Sequence, residues 1–369
     1  MSLKANLASA KVNKNDEFYT QLKDIENELK HYKHYFKDKV VYCNADDPRV
    51  SNFFHYFSYN FEHLGLKKLI TTCYKNQEMD FFSMHDTESA IALIYEGEKD
   101  NGRVPTVDNI GVIELKGDGD FRSPESIEFL KEADIVVTNP PFSLFREYVE
   151  QLIKYNKKFL ILGNQNAMSY RDIFPLIMEN KIWLGYNTGS QEFIIPNDAP
   201  KRTGQRVDEN GIRYQKFGNI TWYTNLDIEK RHEILPLFKK YTSDEYPKYD
   251  NYNAINVNKV VDIPEDYSGI MGVPISYINS YNPKQFEILG INTSFSNEIN
   301  HKDAKPTKKY FGAKQHSTKG KVSNGNKIND SSALLHNEVP NKTYYTADGT
   351  DGYLTINYAR IFIRKRSDI

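Results

Sequence analysis

Residues 134–164 read "DIVVTNPPFSLFREYVEQLIKYNKKFLILGN". The run Ile135 to Thr138 is β-branched throughout and bounded by polar residues, which predicts a short buried strand. Leu144, Phe145, Tyr148, Val149 and Leu152 then recur at helical spacing, and "KFLILGN" is a second apolar run of strand length. A strand, a helix and a strand in that order imply two parallel neighbours joined by a crossover. Between the first strand and the helix stand Asn139, Pro140, Pro141 and Phe142. Each proline fixes its own φ and holds the preceding residue extended, so Asn139 and Pro140 are both restricted. An ordinary strand exit needs no such rigidity.

Working toward the N-terminus, "KVVYCNADDP", "SNFFHYFSYNFEHLG" and "LKKLITTCY" form another strand, helix, strand unit, with Ser51 as N-cap and Gly65 as stop. Ahead of it, Leu22, Ile25, Leu29 and Tyr32 mark an amphipathic helix. "AIALIYEG" and "NIGVIELKG" flank a turn-rich link and read as a hairpin, and "SPESIEFLKEA" reads as a helix. Beyond residue 164, "IFPLIMEN" is a short helix and "KIWLGYN", "QEFIIP" and "NITWYTNL" are strands. The expected fold is α/β, a doubly wound, Rossmann-like and mainly parallel sheet whose ligands lie beyond the carboxyl ends of its strands. After Asp227 the alternation fades. Residues 1–244 are therefore expected to form a catalytic domain and residues 245–369 a smaller second region.

Composition narrows the class. With 39% hydrophobic and 26% charged residues, no apolar run of membrane-spanning length and no signal-peptide pattern at its start, the chain is expected to be a cytoplasmic globular protein. Its two cysteines, Cys43 and Cys73, sit in apolar strand-like runs, which excludes a disulfide scaffold and a cysteine-built zinc site; no metal is expected. The net charge of −1 makes no case for nucleic acid, but its distribution does. From His301 to Ile328 eight lysines face a single acid, Asp303, in sequence rich in Gly, Ser and Asn. That reads as a mobile basic loop at about residues 301–328, either a nucleic-acid contact or a solvated connector. The 26 tyrosines, many beside Asn or Lys, suit a surface on which bases stack, and equally a coding bias.

Two rigidly aimed acceptors, the Asn139 side-chain oxygen and the Pro140 carbonyl, suit an amine on an aromatic ring. Accepting both of its hydrogens favours a pyramidal and more nucleophilic nitrogen, and Phe142 offers a face for the ring. In isolation, a strand-end turn with a packed Phe is the competing reading.

The tetrapeptide resembles the Asp/Asn/Ser-Pro-Pro-Tyr/Phe/Trp signature of amino-methyltransferases that use S-adenosylmethionine. "NDEFYTQLKDIE", "VVYCNADDPRVSNFFHYF", "VVTNPPFSLFREYV", "GNITWYTNLD", "VPISYINSYNPKQFEILG" and "YARIFIR" resemble, in order, segments of the EcoRI-type adenine-specific DNA methyltransferases. The resemblance spans nearly the whole chain apart from the lysine-rich stretch. It implies transfer of a methyl group from S-adenosylmethionine to N6 of an adenine flipped out of duplex DNA, with Asn139, Pro140, Pro141 and Phe142 as the catalytic set. It implies cofactor contacts from Asp120 and Phe121, from Tyr19 and Thr20, and from Asp46, Asp47 and Pro48. The rival roles are an acidic turn, helix packing and helix entry respectively. Trp222 and Tyr223 are expected either at the flipped base or in the core. Lys308, Lys309, Lys314, Lys319 and Lys321 are expected at DNA phosphates, within a target-recognition region.

Two features depart from the wider methyltransferase pattern. No glycine-rich loop follows the first strand, where "DDPRVSNF" stands, and "TTCYKN" lacks the acid that commonly holds ribose hydroxyls. The implied partners are double-stranded DNA and, in a restriction-modification setting, a cognate restriction endonuclease of the same site; the family precedent is a monomer. An RNA or protein-glutamine amino-methyltransferase and a catalytically inactive DNA-binding relative are the alternative functions.

Overall fold

The structure is a computed structural model that describes residues 19–44, 51–73, 90–98, 107–195, 201–357 and 359–366. The chain divides into two compact units, one of residues 1–167 and 182–228, the other of residues 168–181 and 229–369. This differs from the boundary at 244 expected from sequence. The alternation of elements stops near Asp227, and residues 168–181 leave the first unit although nothing in their composition marks the excursion.

The described elements run β1 (Tyr19–Thr20), α1 (Leu22–Leu29), β2 (Val40–Asn44), α2 (Asn52–Tyr59), β3 (Lys68–Cys73), β4 (Ile91–Tyr95), β5 (Val112–Glu114), α3 (Pro124–Glu132), β6 (Ile135–Thr138), α4 (Phe145–Lys154), β7 (Lys158–Asn164), α5 (Phe174–Met178), β8 (Trp183–Ile194), β9 (Gln205–Val207) and β10 (Arg213–Thr224). Local chemistry sets several ends. Ser51 accepts a hydrogen bond from the Phe54 amide and Ser123 from the Ser126 amide, and Pro124 occupies the first turn of α3, where no N–H is needed.

In the first unit ten strands form one sheet, ordered β1-β8-β10-β7-β6-β2-β3-β4-β5, with β9 beside β10. It is mixed rather than mainly parallel. Only β7, β6, β2 and β3 run together, while β1, β4, β5, β8, β9 and β10 are joined antiparallel. Parallel pairing needs a crossover helix, and among the described residues no helix lies between β8 and β10 to supply one. "KIWLGYN" and "QEFIIP" belong to a single 12-residue strand, β8. Alternate residues of the central strands, Val41, Cys43, Ile135, Val137, Leu160 and Leu162, share a core with Ile25, Leu29, Phe53 and Phe57 of α1 and α2. On the opposite face Tyr42 lies by Phe129 of α3, and Tyr223 of β10 by Phe145 of α4. The parallel centre is thus buried on both faces, and its carboxyl ends, Asn164, Thr138, Asn44 and Cys73, lie along one edge.

The second unit contains β11 (Ile255–Asn256), β12 (Met271–Pro274), β13 (Phe286–Ile291), β14 (Lys314–His316), β15 (Val322–Asn324), β16 (Ala333–His336), β17 (Tyr344–Thr346), β18 (Tyr353–Ile356) and β19 (Arg360–Lys365). They form a four-stranded sheet, β11-β12-β19-β13, and a five-stranded one, β15-β14-β17-β18-β16. The stretch 301–328, expected as a mobile loop, instead supplies β14 and β15 to the second sheet. Tyr310, Ala313 and Ile328 anchor it in a core with Ala333, Tyr345 and Leu354. Those few apolar anchors are spread through polar, lysine-rich sequence, so composition hides them.

Candidate active site

Asn139 follows β6 directly, at the carboxyl edge of the parallel centre, and is 7% exposed. Pro140 is buried, Pro141 has φ −55° and ψ 125°, and Phe142 opens a single 3₁₀ turn that runs into α4. The Leu144 amide closes that turn on the Pro141 carbonyl at 3.0 Å. The peptide is therefore held from both ends, by the β6 ladder and by α4. Phe142 is half-buried, packed on the sheet core.

A hydrogen-bonded set ties this strand end to its neighbours. The Thr138 hydroxyl donates to the Asn44 carbonyl at the end of β2, and the Tyr148 hydroxyl of α4 donates to Asn44 Oδ1. Tyr148 is 2% exposed, and burial holds its phenol well above the ordinary range, so it remains a donor. Its ring meets Phe121 edge-on, with centroids 5.0 Å apart, and Gln151 Nε2 of α4 donates to the Phe121 carbonyl at 2.8 Å. Asn44 and Thr138 are not singled out from sequence, where the available signal is a polar residue closing each buried run, and Tyr148 reads there only as part of the apolar face of α4.

The loop bearing Asp120 and Phe121 is fastened from several sides. Gly119 has φ +73°, and a Cβ there would lie 2.2 Å from the Cys73 carbonyl oxygen, so only glycine lets the loop meet the end of β3. Glu125 of α3 accepts from the Lys116 and Gly117 amides at 3.0 and 2.7 Å. Arg122 grips Asp120 with two nitrogens, Nε on Oδ1 at 2.8 Å and Nη2 on Oδ2 at 2.7 Å, and reaches Glu147 at 2.7 Å. Partial burial works to raise the Asp120 carboxyl. The Arg122 side chain and amide outweigh it, leaving the group below the ordinary carboxylate range and ionised.

Tyr19 and Thr20 form β1, paired with Ile194 and Phe193, rather than the start of a helix. The Thr20 carbonyl accepts from Asn52 Nδ2 at 2.7 Å, which places it by the first turn of α2. Thr20 Oγ1 is buried and makes no hydrogen bond among the described residues. Asp46, Asp47 and Pro48 lie outside the described residues, on the connection from Asn44 to Ser51.

Trp222 and Tyr223 are each 0% exposed. Trp222 packs on Phe53, while Tyr223 packs on Phe145 and donates its hydroxyl to the Asn164 carbonyl at 2.8 Å. Neither has a face free for a base, so of the two expected roles the structure supports the core for both. β10 is an interior strand of the sheet, covered on both sides. Among the lysines, Lys308 pairs with Asp250 at 2.6 Å. Lys309, Lys314, Lys319 and Lys321 are exposed.

A rigid Asn-Pro-Pro-Phe turn thus stands at the carboxyl edge of a parallel sheet centre, beside an Asp-Phe loop, where ligands of such sheets lie and where the resemblance to amino-methyltransferases implies the site. The chain matches the family model described as adenine-specific methyltransferase EcoRI over residues 6–366, and it belongs to that family. It is 54% identical to the type II methyltransferase M.EcoRI of Escherichia coli, over 80% of this chain and 91% of that protein. To M.MgeORF184P of Mycoplasma genitalium and M.MpnI of Mycoplasma pneumoniae, also named type II methyltransferases, it is 42% and 38% identical, over 76% of this chain and 84% and 83% of theirs. No solved structure matches it. Among the described residues no helix is long and apolar enough to cross a membrane.

Proposed function

We propose that this chain methylates N6 of an adenine extruded from duplex DNA, using S-adenosylmethionine, at a site assembled around Asn139. The observation that carries the reading is the placement of Asn139 and Pro140, buried and fixed, at the carboxyl edge of the parallel centre and tied through Asn44 and Tyr148 to the Phe121 loop. In that setting the Asn139 side-chain oxygen and the Pro140 carbonyl accept the two amine hydrogens, Pro141 keeps them aimed, and Phe142 stacks on the base. An aromatic amine is unprotonated at neutral pH, so no dedicated base precedes attack, and positioning supplies most of the acceleration.

The residues present fit the cofactor. Thr20 Oγ1 is a buried polar atom that the described residues leave unused, and Asp120 is an ionised acceptor beside a buried ring. S-adenosylmethionine, when bound, supplies an electrophilic methyl group on a sulfonium centre. Asp120 and Phe121 would hold its adenine, while Tyr19 and Thr20, with Asp46, Asp47 and Pro48 of the adjoining connection, would hold its methionine end. In this reading the sheet is a doubly wound, Rossmann-like one with added antiparallel strands. Residues from about 245 onward recognise DNA, with Lys309, Lys314, Lys319 and Lys321 at phosphates. The protein acts as a monomer, alongside an endonuclease of the same specificity.

Membership of an adenine-specific family favours DNA adenine over the planar amines of RNA or protein glutamine. The test is sequencing of modified bases in host DNA expressing the chain, with Asn139→Ala as control. N6-methyladenine within one motif, absent from the variant while DNA affinity persists, is the expected result. Modified cytosine, or no modified base, would overturn the reading.

A further inference from the structure

From Ala304 to Asn329 there are seven lysines and no Asp or Glu. The fold gathers three of these lysines on one hairpin, β14 and β15, at the free edge of the five-stranded sheet. Its turn is pinned: the Ser317 amide donates to the Lys321 carbonyl at 2.9 Å, and the Gly320 amide to the Ser317 carbonyl at 3.0 Å. Gly320 takes the left-handed conformation, at φ +76°, that the turn requires. The other end is closed by the Gly325 amide on the Ala313 carbonyl at 2.9 Å. From within the sheet, β17 braces β14. The His316 ring lies on Tyr344 at 4.7 Å and 5°, with Nε2 3.0 Å from Thr346 Oγ1.

Strand alternation then distributes the side chains. Lys314, His316, Val322 and Asn324 share one face, and Gln315 and Ser323 the other. Lys321 precedes Val322 and falls on the second side, while Lys319 sits in the turn. All three lysines are exposed, as is every residue of β15, and among the described residues none of the three lysines is in an ion pair. Asp348 lies against Gly312, before the strand begins and away from the turn. Because β17 pairs with β14 along its length, the hairpin is the outer edge of the sheet. That edge and its turn, positive on both faces and at the tip, match a groove walled by two phosphate backbones, and the major groove of DNA is wide enough to admit them edge-first. Lysines on an edge strand also serve to block edge-to-edge pairing. That role calls for charge along the edge and has no use for polar Gln315 and Ser323 on the second face.

We propose that the β14–β15 hairpin inserts into the major groove of the substrate DNA, with Lys314, Lys319 and Lys321 on the flanking phosphates and Gln315 and Ser323 at base edges. This rests on the proposed function above, whose substrate is duplex DNA. The test uses the full chain and a duplex bearing the methylated motif read from host DNA, with affinity measured against salt concentration. Lys314→Ala/Lys319→Ala/Lys321→Ala is expected to lower the slope of log affinity against log salt by about 2 to 3, since each phosphate contact contributes about 0.9. Lys239→Ala, which removes a lysine paired with Glu245, should leave the slope unchanged. Gln315→Ala/Ser323→Ala is expected to loosen the methylated motif at one or more base pairs. An unchanged slope in the lysine variant would overturn phosphate binding by the hairpin, and an unchanged motif in the second variant would overturn its insertion. Failure of the parent chain to methylate adenine in any duplex would count against the proposed function instead. Binding by Asn139→Ala with the parental slope separates the two.

Discussion

The Tyr148 hydroxyl donates to Asn44 Oδ1 while the Thr138 hydroxyl donates to the carbonyl of the same asparagine, so one residue at the end of β2 holds both β6 and α4. Thr138 is the residue before Asn139. Tyr148 also carries the ring on which Phe121 rests, so one chain of contacts joins the proposed amine acceptors to the proposed cofactor loop. Tyr148→Phe keeps the packing and removes the donor, leaving a buried amide oxygen unsatisfied. The expected cost is about 1–3 kcal/mol in denaturant unfolding. A misplacement well below 1 Å at Asn139 is expected to lower kcat about 10-fold with little change in KM for DNA. Unchanged kcat with lowered stability would reduce Tyr148 to a structural role.

Glu28 gives a pH dependence of definite sign. Its carboxylate is 0% exposed and accepts from the Tyr32 hydroxyl, the Tyr186 and Asn187 amides and Asn187 Nδ2, each at 2.8 Å. Burial raises its pKa above the ordinary 4.5, and the hydrogen bonds recover only part of that shift. Between those values the folded state keeps a proton that the unfolded state has released, so stability falls as pH rises through the window. Glu28→Gln is expected to flatten that fall. The variant should also be less stable throughout by about 1–3 kcal/mol, because an amide cannot accept from all four donors. Urea midpoints across the acid range of parent and variant check both effects.

How far the sequence discloses this molecule depends on how much of each signal is local. The strand, helix, strand order around residues 134–164 and the position of Asn139 are legible because a buried run and a doubled proline act within a few residues. Strand direction is not. β8 and β10 carry the same apolar pattern a parallel strand would, and only their partners β7 and β1 reveal them as antiparallel. Trp222 and Tyr223 look like ligand-facing aromatics until the sheet places β10 inside, covered on both faces. The lysine-rich stretch conceals strands of three residues, too short for a period, held by distant Tyr345 and Leu354. Thr138 and Asn44 are 94 residues apart in sequence, so no local reading joins them.

Gly119 is expected to tolerate no side chain. In Gly119→Ala the new methyl would meet the Cys73 carbonyl oxygen at 2.2 Å, and the residue would hold φ +73°. The left-handed conformation alone costs about 1–2 kcal/mol. Relief of the clash requires the loop to move, carrying Asp120 and Phe121 with it. The variant should therefore lose S-adenosylmethionine affinity by more than it loses stability, which calorimetric titration beside a thermal melt resolves. Equal affinity in parent and variant would count against placing the cofactor at this loop.

Arg122 sets the charge of that loop. Burial alone would raise the Asp120 carboxyl, and the bidentate Arg122 contact brings it below the ordinary range, so Asp120 is ionised well into acid. In Arg122→Ala only the backbone amide of residue 122 still opposes burial, and the carboxyl rises. Asp120 accepts the cofactor's amine hydrogen more strongly when ionised, so the variant should lose cofactor affinity at acidic pH first and approach the parent as pH rises. Measured from about pH 5 to about pH 8, the dissociation constant of the parent should vary little. That of the variant should climb toward the acid end. A parallel displacement at every pH would mean that Arg122 acts by packing over Phe121, whose ring centre lies 5.1 Å from the guanidinium, and not through the ionisation of Asp120.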